Sequence, residues 1–174
     1  MMNIEKLKKM YPIQKGVNNP ILRAKSQEVD LIPEVKNFWK ILLELMYEYD
    51  GVWLAAPQIW KNWRIIAVTF WQKRWKKYDF LWEEIMFNPK ITWFSKETEI
   101  DEEACLSLPG VVWDVERSKE IIVEYIDINW NKRSKKLKWL NARIVQHEVD
   151  HLDWILFIDK IVDKKSNSFI KILV

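Results

Sequence analysis

Glycine is almost missing from this chain. Its 174 residues include 3 glycines and 12 tryptophans, whereas about a dozen glycines are expected at the usual frequency of roughly 7%. Because glycine has no Cβ, it is the default residue where the backbone takes a positive φ or closely approaches a ligand. The shortage of glycine and the excess of tryptophan therefore call for one explanation: some tryptophans stand where a fold of this size needs glycine.

The composition is that of a folded protein. Hydrophobic residues make up 49% of the chain and charged residues 30%, which predicts a single globular domain over residues 1–174. The amino terminus has no apolar run of signal-peptide type, and no later window approaches the roughly 18 apolar residues of a membrane span. A single cysteine cannot form an internal disulfide, which is typical of a reducing compartment. These features predict a soluble cytoplasmic protein.

The net charge of +3 is small, but basic side chains form two local groups. Solvated turns and strand faces are the simpler interpretation of such groups, and contact with RNA is the alternative. The two groups are Lys73, Arg74, Lys76 and Lys77, and then Lys132, Arg133, Lys135, Lys136 and Lys138.

Apolar spacing predicts two helices that flank several strands. From Pro33 to Tyr49, apolar residues recur three and four positions apart, and Gly51 follows the last of them. Runs rich in β-branched and aromatic residues at 64–70, 80–87, 91–94 and 119–128 are typical of strands. A second helix begins at Leu140. Strands grouped between two helices predict an α+β fold with a mostly antiparallel sheet, an N-terminal helix and a C-terminal helix.

The predicted second helix carries the sequence Q-H-E-V-D-H at 146–151. His147 and His151 are four residues apart, so their imidazoles project from one helix face and can hold one metal ion. Glu148 lies beside the first histidine, where it can reach a water molecule at the metal. The chain has two histidines and both lie in this motif, which favours a metal site over a polar helix face.

A catalytic zinc-type site usually takes three protein ligands and leaves one position open. Cys105, the single cysteine, is the candidate third ligand, with Asp or Glu as the remaining option. A lone cysteine is more often a small buried hydrophobe. Because the chain also carries two histidines in a metal-binding motif, we favour Cys105 as a ligand.

Three motifs, taken in order, resemble the peptide deformylase family. They are G-V-W-L-A-A-P-Q at 51–58, E-A-C-L-S at 103–107 and Q-H-E-V-D-H at 146–151. The flanking sequences N-P-I-L-R at 19–23 and I-L-F-I-D at 155–159 are similar to the family as well. The resemblance therefore covers nearly the whole chain. From the residues alone, the inference reaches only metal-assisted hydrolysis.

The resemblance implies a role for each residue that matches a family motif. Cys105, His147 and His151 correspond to the metal ligands. Glu148 corresponds to the general base and acid, which takes a proton from the attacking water and passes one to the leaving amine. The remaining matches are the oxyanion donors Gln58 (side chain) and Leu106 (backbone N–H), the substrate-binding positions Gly51, Val52, Trp53 and Leu140, and the supporting ion pair Asp150 and Arg117.

The resemblance also implies the substrate and the metal. The substrate is the N-formylmethionyl end of a nascent polypeptide, and formate is released. Iron(II) is expected by resemblance, although a Cys-His-His set also suits zinc, nickel or cobalt. Transient contact with the ribosome is a further expectation, and neither DNA nor a membrane is expected as a partner.

Several tryptophans fall where the family resemblance or the local pattern calls for glycine. Trp53 matches a family glycine in a strand whose backbone binds the peptide, Trp130 occupies a hairpin turn, and Trp154 follows the end of a helix. We hypothesise that such tryptophans are glycines in the natural protein, because some bacteria read the codon UGA as glycine and others as tryptophan. The six positions are Trp53, Trp60, Trp113, Trp130, Trp139 and Trp154. Trp39 and Trp63 are the two positions that we most readily accept as tryptophan in the natural protein.

Two other functions remain open at the level of sequence. A metallopeptidase of the H-E-x-x-H kind shares the helix motif but requires neither Cys105 nor Gln58. A catalytically impaired, deformylase-like binding protein is the other alternative, with Trp53 blocking its cleft. If all twelve tryptophans are genuine, the chain is a diverged or damaged deformylase.

Overall fold

The computed structural model describes residues 4–30, 32–74 and 77–162. Within these ranges the chain forms three α-helices, seven strands and two short 3-10 helices. The helices are α1 (Ile4–Met10), α2 (Pro33–Glu48) and α3 (Trp139–Leu152), and the 3-10 helices span Ala56–Ile59 and Phe157–Lys160. The strands are β1 (Trp53–Ala55), β2 (Ile65–Arg74), β3 (Lys77–Phe94), β4 (Thr98–Ala104), β5 (Val112–Ser118), β6 (Glu120–Ile126) and β7 (Lys132–Lys138).

Every strand pairing is antiparallel. Five strands form one sheet in the order β1-β2-β3-β6-β7, and β4 and β5 form a separate two-stranded sheet. The predicted α+β fold with a mostly antiparallel sheet is therefore confirmed. None of the described helices is long and apolar enough to cross a membrane.

Strand β2 lies between the two long helices, and this explains its continuous apolar sequence. Its alternate residues point to opposite faces of the sheet. Ile65 and Ala67 belong to the core cluster with α2, whereas Ile66 and Val68 belong to the cluster with α3. Because both faces are covered, the first six residues of β2 are all buried.

Helix α2 matches its predicted bounds closely. Pro33 occupies the first turn, and the buried side chains of Val35, Phe38, Leu42, Leu45 and Met46 follow at three- and four-residue spacing. This stripe packs on one face of the five-stranded sheet. Helix α1 was not predicted, because its seven residues bury only Leu7 and carry too short a pattern.

The segments predicted as two strands at 80–87 and 91–94 are parts of one strand, β3. The register against β6 shifts between Phe87 and Lys90, where Asn88 has a φ of 50° and Pro89 cannot donate a backbone hydrogen bond. The polar break in the sequence therefore marks a bulge inside a strand. The second basic group lies on β7, where Lys135 pairs with Glu84.

Candidate metal centre

Helix α3 and the residue that follows β4 bring three candidate ligands together. His147 and His151 lie one turn apart on α3, and Cys105 comes directly after β4. The Cys105 sulfur is 3.2 Å from His151 Nε2, and one ligand atom from each residue lies within 4.8 Å of the other two. All three side chains are buried. Metal bonds of roughly 2.0–2.3 Å suit a cluster of about this size.

Glu103 fixes the orientation of the His147 ring. Its carboxylate lies 2.8 Å from His147 Nδ1, so a proton on Nδ1 satisfies that contact and leaves the lone pair on Nε2 free. His147 Nε2 is buried and has no hydrogen-bond partner among the described residues. A buried nitrogen without a partner is costly in a dry interior, and a metal ion held by Nε2 would remove that cost. The residues present therefore fit a bound metal ion.

A network of buried charges surrounds this carboxylate. Arg117 donates to both Glu103 oxygens at 2.9 Å and also contacts Asp150, while Arg143 donates to Glu103 at 2.8 Å. Burial alone raises the pKa of Glu103, but the hydrogen bonds and charges of Arg117 and His147 outweigh it and hold the pKa well below its usual range. Asp150 also accepts a hydrogen bond from Lys160 at 2.7 Å.

Sequence reasoning assigned no role to Glu103, although it lies in the quoted motif E-A-C-L-S. The signal was available: on a strand, residues 103 and 105 point to the same face, so an acidic residue two positions before a candidate ligand is a candidate partner for the histidines. The predicted pair of Arg117 and Asp150 does form in the structure.

Glu148 is fully buried beside the cluster. One of its oxygens lies 3.9 Å from His147 Nε2, and neither carboxylate oxygen has a hydrogen-bond partner among the described residues. Burial, and then the negative charge of Glu103, raise the pKa of Glu148 well above its ordinary value. The structure thus places a buried carboxyl group, without hydrogen-bond partners among the described residues, next to the candidate ligands.

Gln58, in the 3-10 helix Ala56–Ile59, also contacts Cys105. Its amide nitrogen donates to Cys105 Sγ at 3.3 Å and to Ser107 Oγ at 3.2 Å, and its amide oxygen accepts from the Ala55 N–H at 2.8 Å. These bonds fix the direction of the amide. None of the described residues accepts a hydrogen bond from the N–H of Leu106.

Two cavities adjoin the cluster. The larger, of about 630 Å³, is lined by Gly51 and Val52 together with Gln58 and Cys105, and the smaller, of about 310 Å³, is lined by Leu140 and His147. Trp53 lines both, and its ring lies 6.2 Å from the His147 ring. The sequence-predicted substrate positions therefore surround the cluster, but they face two cavities with an indole between them.

The sulfur of Cys105 is poorly suited to exist as a thiolate without a cation. Burial and the nearby charge of Glu148 raise its pKa to about 12. Burial and the charge of His147 lower the pKa of His151 well below its usual value, which favours the neutral imidazole that a metal ligand must be. A divalent ion favours the thiolate outright, so metal binding and loss of the thiol proton are coupled.

Comparison with known proteins identifies the family. The sequence model described as polypeptide deformylase matches residues 10–167. The peptide deformylase of Pseudothermotoga lettingae is 39% identical over 159 residues, which are 91% of this chain and 87% of that protein. The peptide deformylase of Dictyoglomus thermophilum is 38% identical over 85% of this chain and 91% of its own length. The chain belongs to the polypeptide deformylase family.

Solved deformylase structures have the same fold. The class I type b peptide deformylase of Acinetobacter baumannii, with Met-Ala-Ser bound, matches with a TM-score of 0.80 at 32% identity, over 87% of this chain and 98% of that one. The Thermotoga maritima enzyme matches with a TM-score of 0.75 at 34% identity, over 88% and 99%. As a deformylase, the chain is a metal-dependent enzyme that removes the formyl group from the N-terminal methionine of new polypeptides. The metallopeptidase and binding-protein alternatives are not favoured.

Proposed function

We propose that this deformylase binds one divalent ion through Cys105, His147 and His151 and uses Glu148 to transfer protons. The observation that carries the proposal is the buried His147 Nε2, which has no partner among the described residues while Glu103 holds the other ring nitrogen. Three ligands of this type leave one coordination position for water or substrate. A divalent ion there supplies Lewis-acid polarisation of the formyl oxygen and lowers the pKa of water.

The ion is ferrous iron in this proposal. The donor set of one sulfur and two imidazoles is compatible with iron, zinc, nickel and cobalt, and family resemblance favours iron. Metal analysis of the protein purified without oxygen from its own cells tests this choice. Iron close to one equivalent per chain is the expected result, and zinc in its place contradicts it.

Glu148 moves the proton. Its two oxygens have no hydrogen-bond partners among the described residues, so they are free to accept a proton from the attacking water and to return it to the leaving amine. Burial keeps its pKa raised, which brings the carboxyl closer to the pKa that proton exchange near neutral pH requires. Arg117 and Asp150 support this role: Arg117 pairs with Glu103 and with Asp150 of α3, and so holds the Glu103 carboxylate and the helix in place.

Gln58 and Leu106 stabilise the negative charge that develops on the formyl oxygen. The Gln58 amide is fixed by the Ala55 N–H, so its nitrogen points at the cluster without further ordering. Prearranged donors of this kind lower the barrier because no reorganisation is needed during the reaction. The backbone N–H of Leu106, which no described residue accepts, supplies the second donor.

Strand β1 supplies the binding edge for the peptide. It ends the five-stranded sheet and, among the described strands, pairs only with β2, so its other edge is unpaired and is the edge to which the main chain of an extended peptide can add. Gly51, Val52 and Trp53 follow this edge. Val52 lines the larger cavity and Leu140 the smaller one, and family resemblance assigns both positions to the methionine side chain. The substrate is the N-formylmethionyl end of a nascent polypeptide, so we infer a cytoplasmic enzyme in transient contact with the ribosome, and no DNA or membrane partner.

Two substitutions test the assigned roles. Cys105→Ala should lose the metal and all turnover of a formyl-methionyl peptide, because the sulfur is a ligand. Glu148→Ala should keep the metal and lose turnover by roughly 10²- to 10⁴-fold, the usual contribution of general acid-base catalysis. Metal content is measured for both proteins beside the rate. Loss of metal from the Glu148 variant with turnover intact contradicts the proposal.

A further inference from the structure

Four tryptophans have a backbone conformation that tryptophan rarely adopts. Trp60, Trp130, Trp139 and Trp154 have φ values of 74°, 64°, 55° and 56°. A positive φ is uncommon for any residue except glycine, and for a bulky side chain it is a genuine outlier. The other non-glycine residues with positive φ in the described part of the chain are Asp50 and Asn88, and these are types that tolerate it.

Two of the four tryptophans end helices. Trp60 follows the 3-10 helix Ala56–Ile59, and the Lys61 N–H donates across it to Ala56 O at 3.0 Å. Trp154 follows the end of α3 in the same way, with the Ile155 N–H donating to Asp150 O at 2.9 Å. Such a six-residue closure places the intervening residue in the left-handed region, where glycine is the usual occupant.

The other two tryptophans turn the chain between elements. Trp130 lies between β6 and β7, where its N–H donates to Asp127 O at 2.9 Å and Asp127 N–H donates to Asn131 O at 2.9 Å. This is a three-residue hairpin loop in which a left-handed residue follows a tight turn, and glycine is preferred there. Trp139 directly follows β7 and is the first residue of α3. The chain therefore changes from strand to helix at this residue.

The side chains give little reason for tryptophan at these places. Trp60, Trp139 and Trp154 are 58%, 53% and 47% exposed. Trp154 and Trp139 lie under the ammonium groups of Lys25 and Lys119 at 5.6 and 5.5 Å, which are surface contacts. Trp130 is the exception, since its ring contacts Phe87 with 5.0 Å between centroids.

We propose that the natural protein carries glycine at positions 60, 130, 139 and 154, encoded by UGA, and that the same reading places glycine at position 53. Trp53 does not have a positive φ; it lies in β1, so its case rests on the cleft. Its indole lines both cavities beside the candidate ligands. With glycine there, the cavities join and the free edge of β1 can be reached by a peptide. Trp113, also hypothesised to be glycine, is an extended β5 residue and is not part of the proposal.

The gene and the natural protein test all five glycine assignments directly. We expect UGA codons at the five positions, and tryptic peptides from protein made in its own cells should have the mass of glycine there. Codons UGG, or peptides with the mass of tryptophan, overturn the proposal. This test uses no activity measurement and is independent of the deformylase mechanism.

Stability measurements test the same inference in recombinant protein. The combined variant Trp60→Gly, Trp130→Gly, Trp139→Gly and Trp154→Gly should melt roughly 5–15 °C above the chain as written, because glycine adopts the same left-handed conformation without the steric cost of a Cβ. Matched controls are Trp39→Gly in α2 and Trp63→Gly, whose ring packs edge-on against Phe38. Neither has a positive φ, and both changes should lower Tm. A combined variant that melts below the chain as written contradicts the proposal. If the combined variant folds and the chain as written does not, the proposal is supported.

The assignment of glycine at position 53 rests on the proposed function, and peptide binding tests it. On the four-glycine background, Trp53→Gly should tighten binding of a formyl-methionyl tripeptide to metal-free protein at least about tenfold, and raise kcat/KM with the metal bound. Unchanged binding overturns the role of position 53. Tight binding without turnover in the metal-loaded protein instead contradicts the proposed catalytic function and leaves the glycine assignment standing.

Discussion

Glu103 connects more of the site than any single ligand does. It contacts His147, Arg117 and Arg143 within one buried network. Groups that orient a metal-binding histidine typically change metal affinity by about 10- to 100-fold when they are removed. The carboxylate also balances two buried guanidinium groups, so its removal affects folding as well as binding.

We predict that Glu103→Gln weakens metal binding by roughly 10- to 100-fold and that Glu103→Ala also lowers stability by about 3–5 kcal/mol, because buried cations lose their partner. Metal titration and denaturant unfolding measure the two effects. Glu120→Gln is the matched control: Glu120 pairs with Lys136 and Lys138 at the surface of β6 and β7, and its replacement should change neither quantity. Equal effects at both glutamates refute the role given to Glu103.

Gln58 should affect turnover without affecting metal binding. Gln58→Ala removes the amide that points at the cluster but leaves all three candidate ligands, so metal content should stay near that of the unmodified chain. Turnover should fall by roughly 10²- to 10³-fold, as for other oxyanion donors. Ser107→Ala is the comparison, since it removes only the second acceptor of the amide. A variant at Gln58 that loses its metal points to a structural role instead.

At the scale of elements, the bulge in β3 depends on one asparagine. Asn88 has a left-handed backbone, and its side chain donates to Val29 O and accepts from Val29 N–H, both at 2.8 Å. Asn88→Ala loses both bonds, and alanine tolerates the left-handed conformation less well than asparagine because it has no side-chain amide to hydrogen-bond locally. We predict a loss of about 2–4 kcal/mol in the free energy of unfolding. The exposed Asn129 provides the control, and its replacement by alanine should have little effect on denaturant unfolding.

Some helices and strands could be predicted from the sequence and others could not. The α2 stripe and the β2 run were readable because each buries a regular set of side chains, from Val35 to Met46 and from Ile65 to Phe70. Strands β4, β5 and β7 were not predicted, because their sequences are largely polar and only Glu103, Val115, Arg117 and Leu137 among them are buried. The site motifs could be recognised in the sequence. Glu103, the partner of His147, could not be identified from one motif, because its position depends on the direction and pairing of the strands.

For the molecule as a whole, the candidate metal cluster lies where two parts of the fold meet. Cys105 follows the two-stranded sheet, whereas both histidines belong to α3. An isolated two-stranded sheet is marginally stable, and this one is held to α3 by side-chain contacts such as Gln146 to Ser118 O at 2.8 Å and Arg143 to Val115 O at 2.9 Å. An ion bound by all three residues would therefore join β4 and β5 to α3.

Metal removal should consequently loosen one part of the molecule more than the rest. An ion present at about 100 times its Kd stabilises the folded state by roughly 2.7 kcal/mol, which corresponds to about 5–10 °C in Tm for a chain of this size. Chelation should lower Tm by that amount, and hydrogen exchange should increase in β4 and β5 before it increases in β2, which is buried between the two helices. Cys105→Ala should already exchange in this way and should not respond to chelator, because it cannot join the two parts through an ion. A uniform increase in exchange along the described strands contradicts the cluster as the link between the small sheet and α3.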